Sequence, residues 1–288
     1  MIDRHHMTWC PGCGNFAILK TAHEVLSELL PDPRSYVVVG GIGQAAKLPH
    51  YLSRCNAFSG LHGRATANAV GIRLANPKLR VILFSGDGDL LAEGGNHFLH
   101  AIRRNIGIAC FLHDNQVYGL TRGQASPTAW SGMSTTVHTL GVAARPYDPL
   151  VMALAAGVRF AARTTVADLG HLRETLAETL RFGSGFALCQ ILQTCPSFNK
   201  ERSVAWYKEH TTALDPGHDL ADPDRALAAA RSLPGGKIPL GVFYRSEATA
   251  YEQSHPALGP QTLVERGLAH RFTGQDLEEL LSPEVSAP

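Results

Sequence analysis

The sequence has 288 residues, of which 44% are hydrophobic and 18% are charged, and its formal net charge is +1. A chain of this length can bury a sizeable core, and a charge so close to zero argues against a nucleic-acid or membrane partner. The sequence contains no run of about 18 apolar residues, and its start lacks the apolar stretch of a signal peptide. We therefore expect a cytoplasmic globular protein.

Apolar segments rich in β-branched residues alternate along the chain with segments of helical periodicity. The predicted strands are Tyr36–Val39, Arg80–Phe84, Ile106–Leu112, Val158–Ala162 and Ala187–Leu192. The predicted helices are Asn15–Leu30, Arg64–Ala75, Gly94–Arg104, Leu150–Ala156 and Asp168–Phe182. This alternation predicts an α/β fold in which helices cover both faces of a mainly parallel sheet.

The pattern changes after about residue 200. Prolines and glycines interrupt the chain, and only Asp224–Leu233 and Gln275–Leu281 have helical periodicity. We expect residues 1–200 to form the α/β domain and residues 201–288 to form an irregular C-terminal extension. The extension is expected to pack on a partner subunit, and the alternative is that it packs on its own domain.

Two predicted strands end in glycines and oxygen ligands. Gly86-Asp87-Gly88-Asp89 follows one strand, and Asn115 follows the next. The spacing allows one crossover helix between parallel strands, so these residues are expected at the carboxyl edge of one sheet, where open α/β proteins bind ligands. Carboxylate and amide oxygens suit Mg²⁺ that also holds a diphosphate.

A set of short motifs resembles the β subunits of 2-oxoacid:ferredoxin oxidoreductases. The motifs are CPGCG at 10–14, GGIG at 40–43, LHGRA at 61–65, GDGD at 86–89, GNH at 95–97, RRN at 103–105, DNQVYGLT at 114–121 and GQASPT at 123–128. They occur in family order, and the likeness covers roughly residues 8–210. The resemblance implies a thiamine-diphosphate-binding fold. It also implies oxidative decarboxylation of a 2-oxoacid to acyl-CoA and CO₂.

The resemblance further implies which residues hold the cofactor. Mg²⁺ would be bound by the Asp87 carboxylate, the Asn115 side-chain oxygen and the main-chain carbonyl of Val117. The predicted cofactor-binding residues are Gly86, Asp87, Gly88, Asp89, Asn115, Val117, Gly119, Leu120 and Thr121. We expect the helix after Gly94 to direct N–H groups toward the diphosphate. For Asp89, a helix-capping or turn role is the alternative.

Lys47, His62 and Arg122 are the predicted catalytic residues. Lys47 and Arg122 correspond to family positions that meet the 2-oxoacid carboxylate, where a cation holds the substrate. His62, at a predicted strand-to-helix junction, is expected to contact the cofactor. The alternatives are solvated surface cations for Lys47 and Arg122 and a structural role for His62.

The resemblance also implies partners. Self-sufficient thiamine enzymes have a second α/β domain that presents an activating glutamate to the aminopyrimidine, and this chain has length for only one such domain. An α subunit is therefore expected to supply that glutamate. The other expected partners are ferredoxin, the 2-oxoacid and coenzyme A.

Three cysteines match iron–sulfur ligands of the family, namely Cys10, Cys13 and Cys195. Four cysteines usually hold a [4Fe–4S] cluster, and the fourth family cysteine follows GIG, where this chain has Gln44. We expect a [4Fe–4S] cluster whose fourth ligand is Gln44 or water. The alternatives are a three-iron cluster, a zinc site, or Cys55 as the fourth ligand.

The other cysteines, Cys110 and Cys189, lie in predicted strands and are expected to be inert core residues. Two other functions stay open at this point. One is a related thiamine-diphosphate subunit that decarboxylates without a functional iron–sulfur cluster. The other is a non-catalytic metal-binding scaffold subunit, and the retained Asp87 and Asn115 argue against it because a scaffold has no need of a diphosphate site.

Overall fold

A computed structural model describes residues 7–53, 55–255, 258, 261–267 and 274. The strands in this part of the chain are β1 (Tyr36–Gly40), β2 (Asn56–Ser59), β3 (Arg80–Gly86), β4 (Ile108–Asp114), β5 (Val117–Tyr118), β6 (Gln124–Ala125), β7 (Phe160–Thr165), β8 (Ala187–Leu192), β9 (Thr211–Ala213) and β10 (Ile238–Arg245). Eight of them form one sheet in the order β2-β1-β3-β4-β8-β7-β10-β9, and β5 pairs with β6 in a separate hairpin.

The helices alternate with the strands over most of the chain. The α-helices are α1 (Asn15–Leu29), α2 (Leu48–Tyr51), α3 (Ala65–Ala75), α4 (Gly95–Arg104), α5 (Pro149–Ala155), α6 (Leu169–Arg181), α7 (Val204–His210), α8 (Pro223–Arg231), α9 (Tyr251–Ser254) and α10 (Leu263–Arg266). Short 3₁₀ helices occupy Pro33–Ser35, Ala45–Lys47 and Pro234–Gly236, and a π-helix occupies Gly88–Glu93. No helix in the described part of the chain is long and apolar enough to cross a membrane.

The central strands are buried on both faces, as a parallel sheet between two helix layers requires. Every pair of neighbours from β2 to β7 is parallel. Alternate side chains of β1 belong to two different cores. Val37 and Val39 belong to the core that also contains residues of α3, α4 and α5, whereas Val38 belongs to the core that contains residues of α1 and α6. The predicted α/β fold with a mainly parallel sheet is confirmed.

The region after residue 200 is more regular than the sequence indicates. Strand β10 pairs antiparallel with β7, and β9 pairs parallel with β10 at the edge of the sheet. Pro239 conceals this strand in the sequence, but pairing with β7 begins only at Gly241, so no ladder hydrogen bond to β7 is lost at the proline. Packing of this region on a partner stays a prediction, and Gln275–Leu281 lies outside the described residues.

The topology gathers four loops at one edge of the sheet. They follow β1, β3, β4 and β8, and they begin at Gly41, Asp87, Asn115 and Gln193. Parallel strands place the loops that follow them side by side, so the motifs singled out in the sequence meet at this edge.

Candidate functional site

Asp87 is the buried centre of this edge. Its Oδ2 accepts hydrogen bonds from the Gln116 N–H at 2.7 Å, the Ser126 hydroxyl at 2.7 Å and the Thr128 hydroxyl at 2.8 Å. Among the described residues, its Oδ1 accepts only from the N–H of Gly88, at 2.9 Å. Oδ2 is therefore saturated by protein donors, whereas Oδ1 keeps a lone pair for a cation.

A second buried carboxyl, Asp114, lies beside Asp87. The Thr128 hydroxyl is 2.7 Å from Asp114 Oδ1 as well as 2.8 Å from Asp87 Oδ2, and one hydroxyl proton cannot serve both acceptors. Burial first, and then the Asp114 charge, raises the pKa of Asp87, and burial raises the pKa of Asp114.

A network of polar side chains continues from Asp114 on the side away from Asp87. The Gln190 side-chain amide donates to Asp114 at 2.7 Å, and Arg163 donates to Gln190 at 2.8 Å and pairs with Asp148 at 3.0 Å. The buried groups Asp114, Gln190 and Arg163 thus each have a partner, and this network fixes the Asp114 carboxyl.

All nine residues predicted to hold the cofactor line one cleft, together with His62 and Gln44. The Asn115 side-chain oxygen accepts from the Val117 N–H at 3.0 Å, which folds this segment into a tight turn. Gly43 has open space where a side chain would stand. The cleft therefore offers bare backbone to a ligand, as a bound diphosphate requires.

Asp89 lies under the cleft wall and ties three loops together. Its Oδ1 accepts from the N–H groups of Ile42 at 3.1 Å and Gly63 at 2.8 Å, and its Oδ2 accepts from the Ser85 hydroxyl at 2.6 Å. A Cβ on Gly41 would stand 2.1 Å from Asp89 Oδ2. Protein donors thus occupy this carboxylate, in line with the turn-stabilising alternative, and its predicted cofactor contact stays a prediction.

The helix that starts within the GDGD motif is the π-helix Gly88–Glu93, and α4 begins only after it. The prediction of a helix from Gly94 is correct in position, but the N–H groups next to Asp87 belong to the π-helix. A wide helical turn of this kind is often found at functional sites.

The three predicted catalytic residues occupy different places. His62 lines the cleft, and its Nε2 lies 3.4 Å from Glu93 Oε2. Lys47 ends the 3₁₀ helix after the GIG motif, and its ammonium donates to the Thr8 hydroxyl at 2.7 Å. Arg122 is exposed at the tip of the β5–β6 hairpin with a φ of 77°. The structure thus brings His62 into the cleft and places Lys47 and Arg122 outside its lining.

Cys10, Cys13 and Cys195 lie near one another at the same edge. The N–H of Cys13 donates to the Cys10 carbonyl at 3.0 Å, in a turn that the positive φ of Gly12 allows. Burial raises the pKa of Cys13 to about 11, and the neighbouring thiols Cys195 and Cys10 add to this rise. In the part of the chain that the structure describes, no three histidine, cysteine, aspartate or glutamate side chains are arranged as ligands of one metal ion.

Backbone donors surround the Cys195 sulfur. Burial raises its pKa, while the N–H groups of Phe198, Ser197 and Asn199 lower it. Such N–H groups stabilise a thiolate, and hydrogen bonds to sulfur tune iron–sulfur clusters. The cysteine cluster ligands stay a prediction.

Gln44 lies between the cysteines and the cleft. Its carbonyl accepts from the Trp9 indole at 2.8 Å, next to Cys10, and its side chain packs against Gly119 in the cleft wall. Within the described residues, the Gln44 side-chain oxygen is buried and has no hydrogen-bond partner.

Cys55 does not approach the other thiols. It immediately precedes β2, at the amino edge of the sheet, and burial raises its pKa. A parallel sheet separates its two edges by the length of a strand, so the proposal of Cys55 as a fourth ligand is wrong. Cys110 and Cys189 are fully buried in β4 and β8, as predicted.

Several residues of the site escaped the sequence analysis. Ser126 and Thr128, which hold Asp87, were visible only as letters of the GQASPT motif. Asp114 is the last residue of the buried strand β4, and its polar side chain at the end of an apolar run was the available signal. Tyr118 was likewise visible only as a letter of the DNQVYGLT motif, and Glu93 carried no signal of its own.

Comparisons with known proteins agree with this geometry. Residues 38–191 match the family described as thiamine pyrophosphate enzyme, C-terminal TPP binding domain. Residues 195–259 match the family described as the C-terminal part of the pyruvate ferredoxin oxidoreductase beta subunit. The α/β domain is therefore a thiamine-diphosphate-binding domain.

Similar proteins match over most of their length. A 2-oxoacid:ferredoxin oxidoreductase subunit beta of a Sulfolobus species is 40% identical over 267 residues, which cover 88% of this chain and 87% of that one. A 2-oxoglutarate synthase subunit of Methanocaldococcus jannaschii is 34% identical, with 88% and 93% covered.

A solved structure extends the likeness to the whole fold. The 2-oxoglutarate:ferredoxin oxidoreductase from Magnetococcus marinus, with 2-oxoglutarate, coenzyme A and succinyl-CoA bound, superposes with a TM-score of 0.87 at 32% identity. The match covers 98% of this chain and 94% of that one. With the cleft, the motifs and these matches in agreement, the chain belongs to the β subunits of the 2-oxoacid:ferredoxin oxidoreductases.

Proposed function

We propose that this chain binds thiamine diphosphate and Mg²⁺ in the cleft and, with a partner subunit, oxidises a 2-oxoacid to acyl-CoA and CO₂. The observation that carries the proposal is the half-saturated carboxylate of Asp87 beneath a glycine-lined cleft. The relatives are named for 2-oxoacids, and the solved structure holds a 2-oxoacid and coenzyme A. These names support the same substrate class here.

Mg²⁺ would be held by Asp87 Oδ1, the Asn115 side-chain oxygen and the Val117 carbonyl. All three belong to residues that line the cleft, and hard oxygen donors are the ligands that Mg²⁺ prefers. The remaining positions would be filled by diphosphate oxygens and water.

Thiamine diphosphate, when bound, supplies a nucleophilic carbon and an electron sink. The chain's part is to hold the diphosphate at Gly86, Gly88 and the 119–121 segment and to place His62 at the cleft wall. Lys47 and Arg122 would supply cations for the 2-oxoacid carboxylate, because both flank loops that form this edge of the sheet.

A partner subunit would cover the mouth of the cleft. Three apolar side chains around it are exposed, with relative exposures of 40% for Ile42, 76% for Leu61 and 45% for Leu120. Exposed apolar groups beside a cleft that must exclude water favour a protein partner there. This partner, an α subunit, would also bring the activating glutamate.

Cys10, Cys13 and Cys195 would hold a [4Fe–4S] cluster with an exchangeable fourth ligand. The proximity of the thiols and the N–H groups around Cys195 support this assignment. The cluster would supply one-electron transfer to ferredoxin.

Activity with and without the partner tests the proposal. We would purify the chain alone and with its neighbouring α subunit, titrate thiamine diphosphate in Mg²⁺, and assay a 2-oxoacid panel with a viologen acceptor. We expect weak cofactor binding and no turnover by the single chain, and coenzyme-A-dependent turnover by the complex. Robust turnover by the single chain would refute the borrowed glutamate, and absence of cofactor binding by the complex would refute the function.

A further inference from the structure

A carboxylate outside the predicted site, Glu93, stands at the mouth of the cofactor cleft. Glu93 ends the π-helix that begins at Gly88 of the GDGD motif. Its Oε2 lies 3.4 Å from His62 Nε2, and its Oε1 accepts a hydrogen bond from the Tyr118 hydroxyl at 3.3 Å. One side chain therefore connects two residues that line the cleft from different segments of the chain.

The π-helix directs two acidic residues at the same turn. Asp89 accepts from the Gly63 N–H at 2.8 Å, and Glu93, four residues later, reaches the side chain of His62. The Asp89 carboxylate is occupied by backbone N–H groups and a hydroxyl. Asp89 thus fixes the backbone at Gly63, whereas Glu93 contacts the side chain of His62.

Close packing at Gly63 makes the contact with Glu93 specific. A Cβ on Gly63 would lie 2.5 Å from Glu93 Cβ and 2.4 Å from its carbonyl carbon, and Gly63 has a φ of +72°. Only glycine meets both the space and the backbone conformation without strain. The loop that carries His62 is therefore seated directly against Glu93.

Two carboxylates face the same nitrogen of His62. Nε2 lies 3.4 Å from Glu93 and 3.8 Å from Asp89 Oδ1. A lone pair on Nε2 would be repelled by both, so the proton of the neutral ring is favoured on Nε2, and Nδ1 is left as the acceptor.

Tyr118 is held by the same residue. A Cβ on Gly88 would stand 2.3 Å from Tyr118 Cε1, so the ring covers the turn of the GDGD motif. Its edge also meets the His62 ring, with the centroids 6.3 Å apart. The hydrogen bond from the Tyr118 hydroxyl to Glu93 fixes this ring against Gly88, one of the residues that would hold the diphosphate.

We propose that Glu93 is a positioning residue that sets the tautomer of His62 and the place of Tyr118 in the cofactor cleft. The catalytic meaning of this role rests on the proposed function. The tautomer of His62 is a property of the chain itself, so it can be measured separately.

Nitrogen NMR of the full chain with ¹⁵N-labelled histidine gives the direct test. Spectra are recorded well above the ordinary histidine pKa of about 6.5, and His62→Asn assigns the signal. We expect His62 to be protonated on Nε2 in the wild type, to become a tautomer mixture in Glu93→Ala, and to recover largely in Glu93→Gln, which keeps an acceptor oxygen. An unchanged His62 signal in Glu93→Ala would overturn the proposal.

Kinetics of the complex with its α subunit give the second readout. Glu93→Ala should lower kcat by up to about 100-fold while the affinity for thiamine diphosphate with Mg²⁺ changes little, because the loss is one of alignment. Glu93→Gln should be intermediate, and Glu209→Gln, an exposed glutamate on α7, should match the wild type. Unchanged kcat in Glu93→Ala would contradict a positioning role of Glu93 in the reaction. A wild-type complex without turnover would instead refute the proposed function, and the NMR signal would still decide the role of Glu93.

Discussion

The cation site and the cysteine site lie at the same edge of one sheet but are built differently. Asp87 is already bound by the Gln116 N–H and by the Ser126 and Thr128 hydroxyls, so its geometry exists before any ligand arrives. Cys13 and Cys195 are thiols whose pKa values are raised by burial. A cluster would have to displace their protons before it could bind.

The two sites differ in what limits the free energy of ligand binding. A site that is already arranged loses little conformational entropy on binding, so its affinity depends on a few fixed contacts. A site that must deprotonate and close around its ligand depends on the number of ligands it can offer. Changes at one site should therefore leave the other largely intact.

The largest expected effect is at Asp87. Asp87→Ala should weaken binding of thiamine diphosphate with Mg²⁺ by at least about 100-fold, because the only carboxylate among the proposed cation ligands is lost. Isothermal titration measures the affinity, and circular dichroism checks the fold. Cys195→Ser is the matched test of independence and should keep the wild-type affinity. Unchanged affinity in Asp87→Ala would contradict the role of Asp87 as a cation ligand. An equal loss of affinity in Cys195→Ser would contradict the independence of the two sites.

A smaller loss of Mg²⁺ affinity is expected at Thr128, which contacts Asp87 but is not itself a proposed cation ligand. Thr128→Val keeps the shape of the side chain but removes the hydroxyl that lies 2.8 Å from Asp87 and 2.7 Å from Asp114. The Mg²⁺ concentration needed for half-maximal binding of thiamine diphosphate, measured by titration, should rise about tenfold, because a hydrogen-bond partner of a metal ligand is lost. Thr179→Val removes a buried hydroxyl in α6 and is the control. If both variants behave alike, the arrangement around Asp87 is not what binds the cation.

The smallest effect is expected at the cysteine site. Gln44→Cys should slow the conversion of a four-iron to a three-iron cluster in air, since a protein thiolate would replace an exchangeable ligand. Iron and sulfide analysis of anaerobic protein, followed by EPR before and after air, measures this conversion. Cys55→Ser should change nothing, because Cys55 lies at the opposite edge of the sheet. Anaerobic protein that contains zinc, or no metal, would contradict the cluster.

Elements with strong periodicity could be predicted from the sequence, and those decided by tertiary contacts could not. The bounds of β8, Ala187–Leu192, agree with the prediction because an uninterrupted apolar run has one stable place in a parallel sheet. Strand β10 was missed because Pro239 and Gly241 are ordinary breaks in a sequence. Only the pairing shows that Pro239 lies outside the ladder with β7 and that Gly241 is the first residue within it.

The same division holds within the site. Asp87 and Asn115 could be placed because each follows a buried strand, so topology alone brings them to one edge. The direction of a hydroxyl such as that of Thr128 depends on turns that no periodicity records, because serine and threonine bond to many partners. The contact of Glu93 with His62 depends on a π-helix, which sequence patterns do not distinguish from an α-helix.

The antiparallel pairing of β10 with β7 has a consequence for how the chain is made. Residues 241–245 close the ladder on residues 160–163, so a growing chain carries β7 with an unpaired edge until its last quarter emerges from the ribosome. An exposed strand edge invites pairing with other chains, and contacts so distant in sequence form slowly. Expression of a fragment that stops near residue 200 should therefore yield aggregates.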